Sequence, residues 1–429
     1  MRLDNLQTGA MMAILCNERD GRIWATAITL IISLGAPYRE VLTDLPARDS
    51  AFAALPVFRR GLFCFLSTFC EAEPLHGPAS PLEENPMNRD EKIRLSLPSK
   101  GRMGEAALEL LADCGLRVRK TNPRRYAASI PTLPGLSVLF QRPADIVVGV
   151  RDGSVDFGVT GMDLVAERRG ANGSVLVVHD DLGFGCCRLA LAVPEGWRDV
   201  ETTADLASHA HALDRPLRVA TKFPNLTGEF LRDHDVGSYD LVEAEGALEV
   251  APTIGYADVI CDLVSSGQTL RDNRLRPLED GVVMRSRAVL IANRAALRTR
   301  PKALEVARLM LEYIEAHARA EEHLAVFANM RGESPEAIAA RMFEQETLGG
   351  LQGPTISPVV GRDGEGWFAV HIVVRRKALF DAVAELRAIG GSGVVVSPVA
   401  YIFEEEPDRW RAMMDRLDGG TDDENGVGR

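Results

Sequence analysis

From residue 93 onward, apolar residues fall into short runs bounded by polar, glycine-containing turns, alternating with stretches whose apolar positions recur at helical spacing. Short runs rich in aliphatic and β-branched residues predict buried strands. These cover 93–97, 155–159, 175–178, 188–193, 217–220, 241–244 and a long one over 282–292. Helical spacing occupies 103–114, 143–152, Met162–Arg168, 225–234 and 256–265, and Gly115 supplies a stop for the first of these. Such alternation predicts open α/β sheets with helices on both faces. The segments 193–197 and 284–291 are expected to cross between two such lobes, leaving a ligand cleft where strand ends converge.

The pattern changes at both ends. Residues 301–322 form one long helical run. After Gly349 and Gly350, strands at 355–360 and 367–374, a helix at 377–389 and a strand at 394–401 predict a small α+β unit. A unit of that size gains stability by docking or associating. At the other end, apolar clusters at 23–34 and 61–69 alternate with turn-rich stretches, and 74–86 has linker composition. Residues 1–86 are therefore set apart as an atypical N-terminal extension. Met87 is the expected native start, since the codons of Glu83 and Glu84 fit a purine-rich ribosome-binding run ahead of it. The expected division is 87–192 with 285–322 as lobe I, 193–284 as lobe II, 323–405 as the C-terminal unit, and 406–429 as a tail. From Asp418 that tail is acidic and glycine-rich and is expected to be disordered.

Composition narrows the class. Hydrophobic residues at 46% and charged residues at 26% are those of an ordinary soluble globular chain, and 429 residues suffice for two or three domains. A net charge of −12 argues against nonspecific nucleic-acid binding, yet a few cations and backbone amides can still hold an anionic substrate. No apolar run reaches the ~18 residues that span a bilayer, so no membrane partner is expected. Cys16, Cys64, Cys70, Cys114, Cys186, Cys187 and Cys261 form no CxxC pair and no zinc-like spacing. An odd number of cysteines fits reduced thiols and a cytoplasmic location.

Candidate chemistry concentrates between Glu249 and Leu270. Asp258 and Asp262 stand four apart and share one face of the expected helix. Two such carboxylates repel by roughly 0.2–0.5 kcal/mol on an exposed helix, which suggests that they hold sugar hydroxyls or Mg²⁺. Ser265, Ser266, Gly267 and Thr269 follow directly, offering hydroxyls and an unobstructed backbone to a phosphate. A second candidate is Lys100, Gly101 and Arg102, two cations beside a glycine at the end of the first strand. Gly161 and Asp163 make a weaker third, again at a strand end. The first two also have bland readings: an N-capped helix–turn–helix with no ligand, and a solvated turn with a charged cap.

The stretch from Glu249 to Leu270 resembles, position by position, the signature of ATP phosphoribosyltransferases: Glu249, Gly255, Ala257, Ile260, Asp262-Leu263, and a terminal Ser266-Gly267-Gln268-Thr269-Leu270. The resemblance extends through the Lys100–Arg102 loop, Arg142 and Asp145, the Asp156–Asp163 turn and the Asp181–Leu189 stretch. It continues into Pro354–Pro358 and Ala388–Gly391, which are similar to the regulatory domain of the family's long form. It implies a two-lobed fold of the periplasmic-binding-protein type (type II) with a C-terminal ACT-like domain. It further implies Mg²⁺ held mainly by substrate phosphates, dimeric and hexameric homo-oligomers, and feedback inhibition by histidine. The implied reaction is transfer of the phosphoribosyl group of phosphoribosyl pyrophosphate to N1 of ATP, the first committed step of histidine synthesis.

On this resemblance, Ser265, Ser266, Gly267 and Thr269 take the 5′-phosphate, Asp258 and Asp262 the ribose hydroxyls, and Glu249 belongs to the same site. Lys100 and Arg102 lie near pyrophosphate or triphosphate, and Lys100, Gly101, Arg102, Gly161 and Asp163 bind nucleotide. Thr355, Val373 and Gly393 are the positional candidates for histidine contacts. The rivals are a solute-binding module, disfavoured by the lack of an export signal, and a nucleobase phosphoribosyltransferase, whose acidic pair is usually adjacent. A transcription factor lacks support, because nothing in residues 1–90 reads as a basic helix-turn-helix.

Overall fold

In a computed structural model of the chain, the described residues are 10–19, 22–31, 42–45, 92–120, 127–244, 246–360 and 366–419. They fall into two units, Met1–Glu83 and Glu84–Arg429. In the first, the backbones of β1 (Ala10–Arg19), β2 (Arg22–Ile31) and β3 (Leu42–Leu45) form an antiparallel sheet with β2 in the middle. The expectations for 61–69, 74–86 and Met87 lie outside the described residues.

The second unit opens with β4 (Ile93–Pro98), α1 (Gly101–Asp113), β5 (Ala127–Ser129), β6 (Leu136–Gln141), α2 (Pro143–Arg151), β7 (Phe157–Gly161), α3 (Met162–Arg168) and β8 (Val175–His179). It continues with β9 (Cys187–Pro194), α4 (Thr203–Ala212), β10 (Leu217–Thr221), α5 (Pro224–Asp233), β11 (Tyr239–Glu243), β12 (Val259–Val264), α6 (Gln268–Asp272) and β13 (Leu275–Ser286). The chain then returns through β14 (Ala288–Asn293), α7 (Arg294–Thr299) and α8 (Pro301–Glu321).

Two sheets result, one ordered β5-β6-β4-β7-β14-β8 and the other β11-β10-β12-β9-β13. β4 lies inside the first sheet with helices above and below, so it is buried almost without interruption although it reads Ile-Arg-Leu-Ser-Leu-Pro, and the buried Ser96 hydroxyl is satisfied by the Gln141 side chain. Pro143 at the first position of α2 and the Thr202–Asp205 capping box of α4 fix two helix starts. The cores are separate: Leu95, Phe157 and Leu290 belong to lobe I, and Leu191, Leu217 and Val259 to lobe II.

The lobes are joined twice, by residues 180–186 between β8 and β9 and by Arg287 between β13 and β14. Both crossings differ from those expected. The first comes before β9, which lies in the lobe II sheet although 187–192 was assigned to lobe I. The second splits the single strand expected over 282–292. A further correction concerns 256–265, where the structure has β12 in place of a helix. A spacing of four keeps two residues on one face in a strand as well as in a helix, so the carboxylates could not discriminate. The run Val259, Ile260, Cys261 is wholly buried, as a central strand demands.

The C-terminal part comprises β15 (His323–Arg331), α9 (Pro335–Phe343), β16 (Thr355–Pro358), β17 (Trp367–Arg375), α10 (Leu379–Ala388) and β18 (Ser392–Pro398). Its βαββαβ order and antiparallel sheet, β16-β17-β15-β18, are ferredoxin-like. The sequence pattern had suggested neither β15 nor α9. α11 (Asp408–Asp418) lies within the expected tail, yet Trp410, Met413 and Leu417 insert into the lobe I core. Glu315 accepts from the Asp408 and Arg409 amides at its start, and Arg298 donates to the Leu417 carbonyl at its end. Residues 420–429 lie outside the described residues.

Candidate functional site

Strand register locates the cleft. β4, β6 and β7 are parallel, and so are β10, β11 and β12, so each group ends on one edge of its sheet. Arg188, the second residue of β9, pairs with Val264 at the end of β12, and Ala288, the first of β14, pairs with Gly161 at the end of β7. Both crossings therefore join the carboxyl edges of the two sheets, and these edges face one another across the hinge. Open α/β sheets bind ligands at that edge.

The lobe II edge carries most of the expected site. After Val264, Ser265 and Ser266 lead into Gly267, whose φ of +73° is a left-handed conformation that glycine adopts without strain. Arg271, one turn into α6, reaches back to the Ser266 carbonyl (3.3 Å) and the Gln268 amide oxygen (2.9 Å), bracing the loop. Asp262 stands two residues before Val264. Burial raises its pKa, while the Leu263 amide and the charge of Lys222 oppose that rise and Glu249 adds to it. Lys222 and Glu249 thus both act on Asp262, beside a loop rich in hydroxyls. Sequence reasoning did not single out Lys222 or Arg271. The signal available for Lys222 was its place directly after a strand and just ahead of Pro224 at a helix start.

Asp258 is a correction. It precedes β12 at the opposite edge, about 13 Å along the strand from Asp262 at roughly 3.3 Å per residue. Its carboxylate accepts from Arg215 (2.6 and 2.8 Å), from the Arg218 amide (2.9 Å) and from the Arg218 guanidinium (3.0 Å). The Arg215 bonds first, and those of Arg218 after them, hold its carboxyl far below the usual carboxylate range. Asp258 is an anchor between strands, with no lone pairs turned toward the cleft.

On the facing edge of lobe I, Lys100, Gly101 and Arg102 follow β4 and open α1, and all three are exposed. The edge also includes Gln141, whose side-chain oxygen accepts from Ser96 (2.6 Å), and Gly161 at the end of β7. Asp163 is 4% exposed, and its carboxylate accepts from the Ser286 hydroxyl, while its amide donates to the same oxygen at 3.0 Å. A Cβ on Gly161 would stand 2.1 Å from that carboxylate. Gly161 and Asp163 therefore lock α3 to the second crossing, and the Asp163 carboxylate is turned away from solvent. Burial raises its pKa.

The lobes also meet directly. Glu167 in α3 accepts from the amides of Asn225 (2.9 Å) and Leu226 (3.0 Å) and from the Asn225 side chain (2.9 Å), capping α5 across the interface. In the C-terminal part, Thr355 on the edge strand β16 pairs with His371, Val373 pairs with Ala325, and Gly393 lies beside Asn329. These three residues occupy different strands and different rows of the ladder, so the fold does not gather them into one pocket.

Two α/β lobes joined by paired crossings, presenting a glycine-and-hydroxyl loop opposite a Lys-Gly-Arg loop, define a two-lobed protein with a cleft where the strand ends converge. The family model described as ATP phosphoribosyltransferase matches residues 142–315, and the one for that family's C-terminal domain matches 320–401. ATP phosphoribosyltransferase 2, chloroplastic, of Arabidopsis thaliana is 48% identical over 76% of this chain and 81% of its own. ATP phosphoribosyltransferase 1, chloroplastic, of the same plant is 44% identical over 81% and 85%. The ATP phosphoribosyltransferase of Methanosarcina barkeri is 35% identical over 72% and 99%. The chain belongs to the ATP phosphoribosyltransferase family.

Proposed function

We propose that the lobe II edge binds phosphoribosyl pyrophosphate, that the lobe I edge presents ATP to it, and that N1 of ATP displaces pyrophosphate from the anomeric carbon. The observation that carries this arrangement is the register that sets both crossings at the carboxyl edges. Ser265, Ser266, Gly267 and Thr269 receive the 5′-phosphate through hydroxyls and backbone amides. Asp262 accepts from the ribose hydroxyls, with Lys222 and Glu249 tuning its charge. Lys100 and Arg102 face the polyphosphate. Asp258 leaves the list of substrate contacts.

No nucleophile from the protein is needed. Holding two anionic substrates in line removes much of the entropic barrier, and fixed cations meet the charge that develops on the leaving group. Among the described residues no three His, Cys, Asp or Glu side chains gather to hold a metal. Mg²⁺ is compatible with that, since it is commonly held by one or two carboxylates together with substrate phosphates, and Glu249 and Asp262 are the carboxylates placed for it. If Mg²⁺ were bound by these carboxylates, it would supply neutralisation of the charge on pyrophosphate.

The C-terminal domain is read as the histidine-sensing part, supported by the match to the family's C-terminal domain. Its outer sheet face exposes Phe327 and Val395, which suits association into homo-oligomers. Among the described residues no helix is long and apolar enough to cross a membrane. Two of the plant relatives are named chloroplastic. The free thiols Cys114, Cys186, Cys187 and Cys261 fit a reducing interior, cytosolic or plastid.

Steady-state kinetics of Asp262→Asn and Asp258→Asn test the site. The first is expected to lower kcat/KM for phosphoribosyl pyrophosphate by about 10-fold or more, one lost charge-assisted hydrogen bond. The second is expected to act on stability with little change in KM. Equal kinetic effects from the two would remove the ribose assignment.

A further inference from the structure

Arg188 lies at the hinge edge of lobe II, the second residue of β9. Its neighbours across the ladder are Val264, the last residue before the phosphate loop, and Arg285 of β13. Paired residues of adjacent strands share a face, so Arg188 stands on the face that also carries Asp262, which pairs with Ala190. A bulge in β13 decides where Arg285 points. Val282 pairs with Ala190 but Met284 with Leu189, so one extra residue is inserted at this edge of the sheet. The insertion leaves Met284 against the lobe II core and turns Arg285 to the Arg188 face.

Two arginines are thus set directly opposite each other on one face, on Cα atoms about 5 Å apart as antiparallel partners are. Like charges directly opposite each other destabilise a sheet. No carboxylate answers them: among the described residues neither arginine makes an ion pair, although the next arginine along, Arg287, is paired with Asp181. The Arg188 Nε is moreover buried without a hydrogen-bond partner. A buried, unanswered guanidinium donor is costly, and a second unpaired cation beside it adds to that cost. An anionic ligand would relieve both.

We propose that Arg188 and Arg285 form a further anion subsite, beside the phosphate loop, that takes the polyphosphate chain of a substrate. The inference rests on the reading that this cleft binds phosphorylated substrates, and it adds two residues from the hinge edge to that machinery. Guanidinium forks suit phosphate oxygens, which accept paired hydrogen bonds. Because the pair sits where both crossings enter lobe II, a polyphosphate held there also touches the hinge. The diphosphate of phosphoribosyl pyrophosphate and the triphosphate of ATP share this chemistry, and the test separates them.

Calorimetric titration of the full chain with inorganic pyrophosphate, tripolyphosphate and ribose 5-phosphate, for wild type, Arg188→Ala, Arg285→Ala and Arg285→Lys, tests the proposal. Each alanine variant is expected to weaken binding of one polyphosphate by about 10- to 100-fold, as loss of a charge-assisted contact does. Ribose 5-phosphate affinity stays within about 2-fold, and the lysine variant retains part of the polyphosphate affinity. Thermal melting gives a sign that a structural role could not: Arg285→Ala holds or raises Tm, because repulsion is relieved. A rise in KM for phosphoribosyl pyrophosphate alone identifies the diphosphate, and a rise in KM for ATP alone the triphosphate. Unchanged polyphosphate affinity in both alanine variants overturns the subsite and leaves the reaction untouched. Arginine-dependent polyphosphate binding by a chain that forms no product keeps the subsite and discards the reaction.

Discussion

Asp258 and Asp262 illustrate how much a residue's surroundings decide. Both lie in one short stretch and both are acidic, yet Arg215 and Arg218 engage the Asp258 carboxylate while Asp262 stands near the end of β12, beside the Ser265–Gly267 loop. The residue types of the proposed site were legible in the sequence, because the hydroxyls, glycine and carboxylate that would hold a sugar phosphate stand close together in the chain. Which carboxylate stands at the carboxyl edge was not, since a spacing of four is common to helix and strand. The partners Arg215 and Arg218 lie some forty positions away in the chain. The depressed pKa of Asp258 makes this testable. A carboxyl whose folded-state value is lowered contributes stability above its unfolded value, near 3.9, and loses it as pH falls toward the folded value. Asp258→Asn is expected to cost about 1–3 kcal/mol at neutral pH. Its deficit against wild type should shrink as pH drops below about 4. Urea unfolding midpoints at several pH values check this, and a deficit independent of pH would show that the charge is not what matters.

Elements carry the site through close approaches that tolerate little change. Gly104 in α1 faces the end of β4, and a Cβ there would stand 2.6 Å from the Pro98 carbonyl oxygen. Gly104→Ala is expected to push α1 off the strand at a cost of about 1–3 kcal/mol. Because Lys100 and Arg102 open that helix, KM should rise with it; unaltered Tm and KM together would refute the contact. Glu167 does similar work between lobes. Glu167→Ala leaves the Asn225 and Leu226 amides without their acceptor, and about 1–3 kcal/mol should be lost. Glu167→Gln should recover part of it, as one carbonyl oxygen remains. Chemical denaturation of the three proteins decides, and equal stabilities would show the cap to be idle. Most elements of the two lobes were legible, because buried strands and amphipathic helices leave distinct periods. β15 was not, since its apolar residues follow α8 directly at His323 without a turn signal. α11 was hidden by the charges around Trp410, Met413 and Leu417, the three apolar residues that it buries.

At the scale of the molecule, the fold turns a linear signature into a hinged cleft. Two crossings at the carboxyl edges place the Ser265–Gly267 loop of one lobe opposite the cationic loop of the other, and on the proposed reading closure brings two substrates in line. α8 leads into the ferredoxin-like domain, and α11 returns from it to lobe I, where Arg409 bonds to Asp180 at the start of the first crossing (2.8 Å). The C-terminal domain is thus tied to the catalytic lobe at both of its ends. The two-lobed plan was legible from strand–helix alternation, whereas the places where the chain changes lobes were not. A crossing is set by which sheet a strand joins, and hydropathy does not record that choice. The most direct test is to supply the full chain with ATP, phosphoribosyl pyrophosphate and Mg²⁺ while hydrolysing pyrophosphate enzymatically, and to follow N1-(5-phosphoribosyl)-ATP. Product that requires both substrates is predicted. A folded chain that binds phosphoribosyl pyrophosphate yet forms no product would contradict the account.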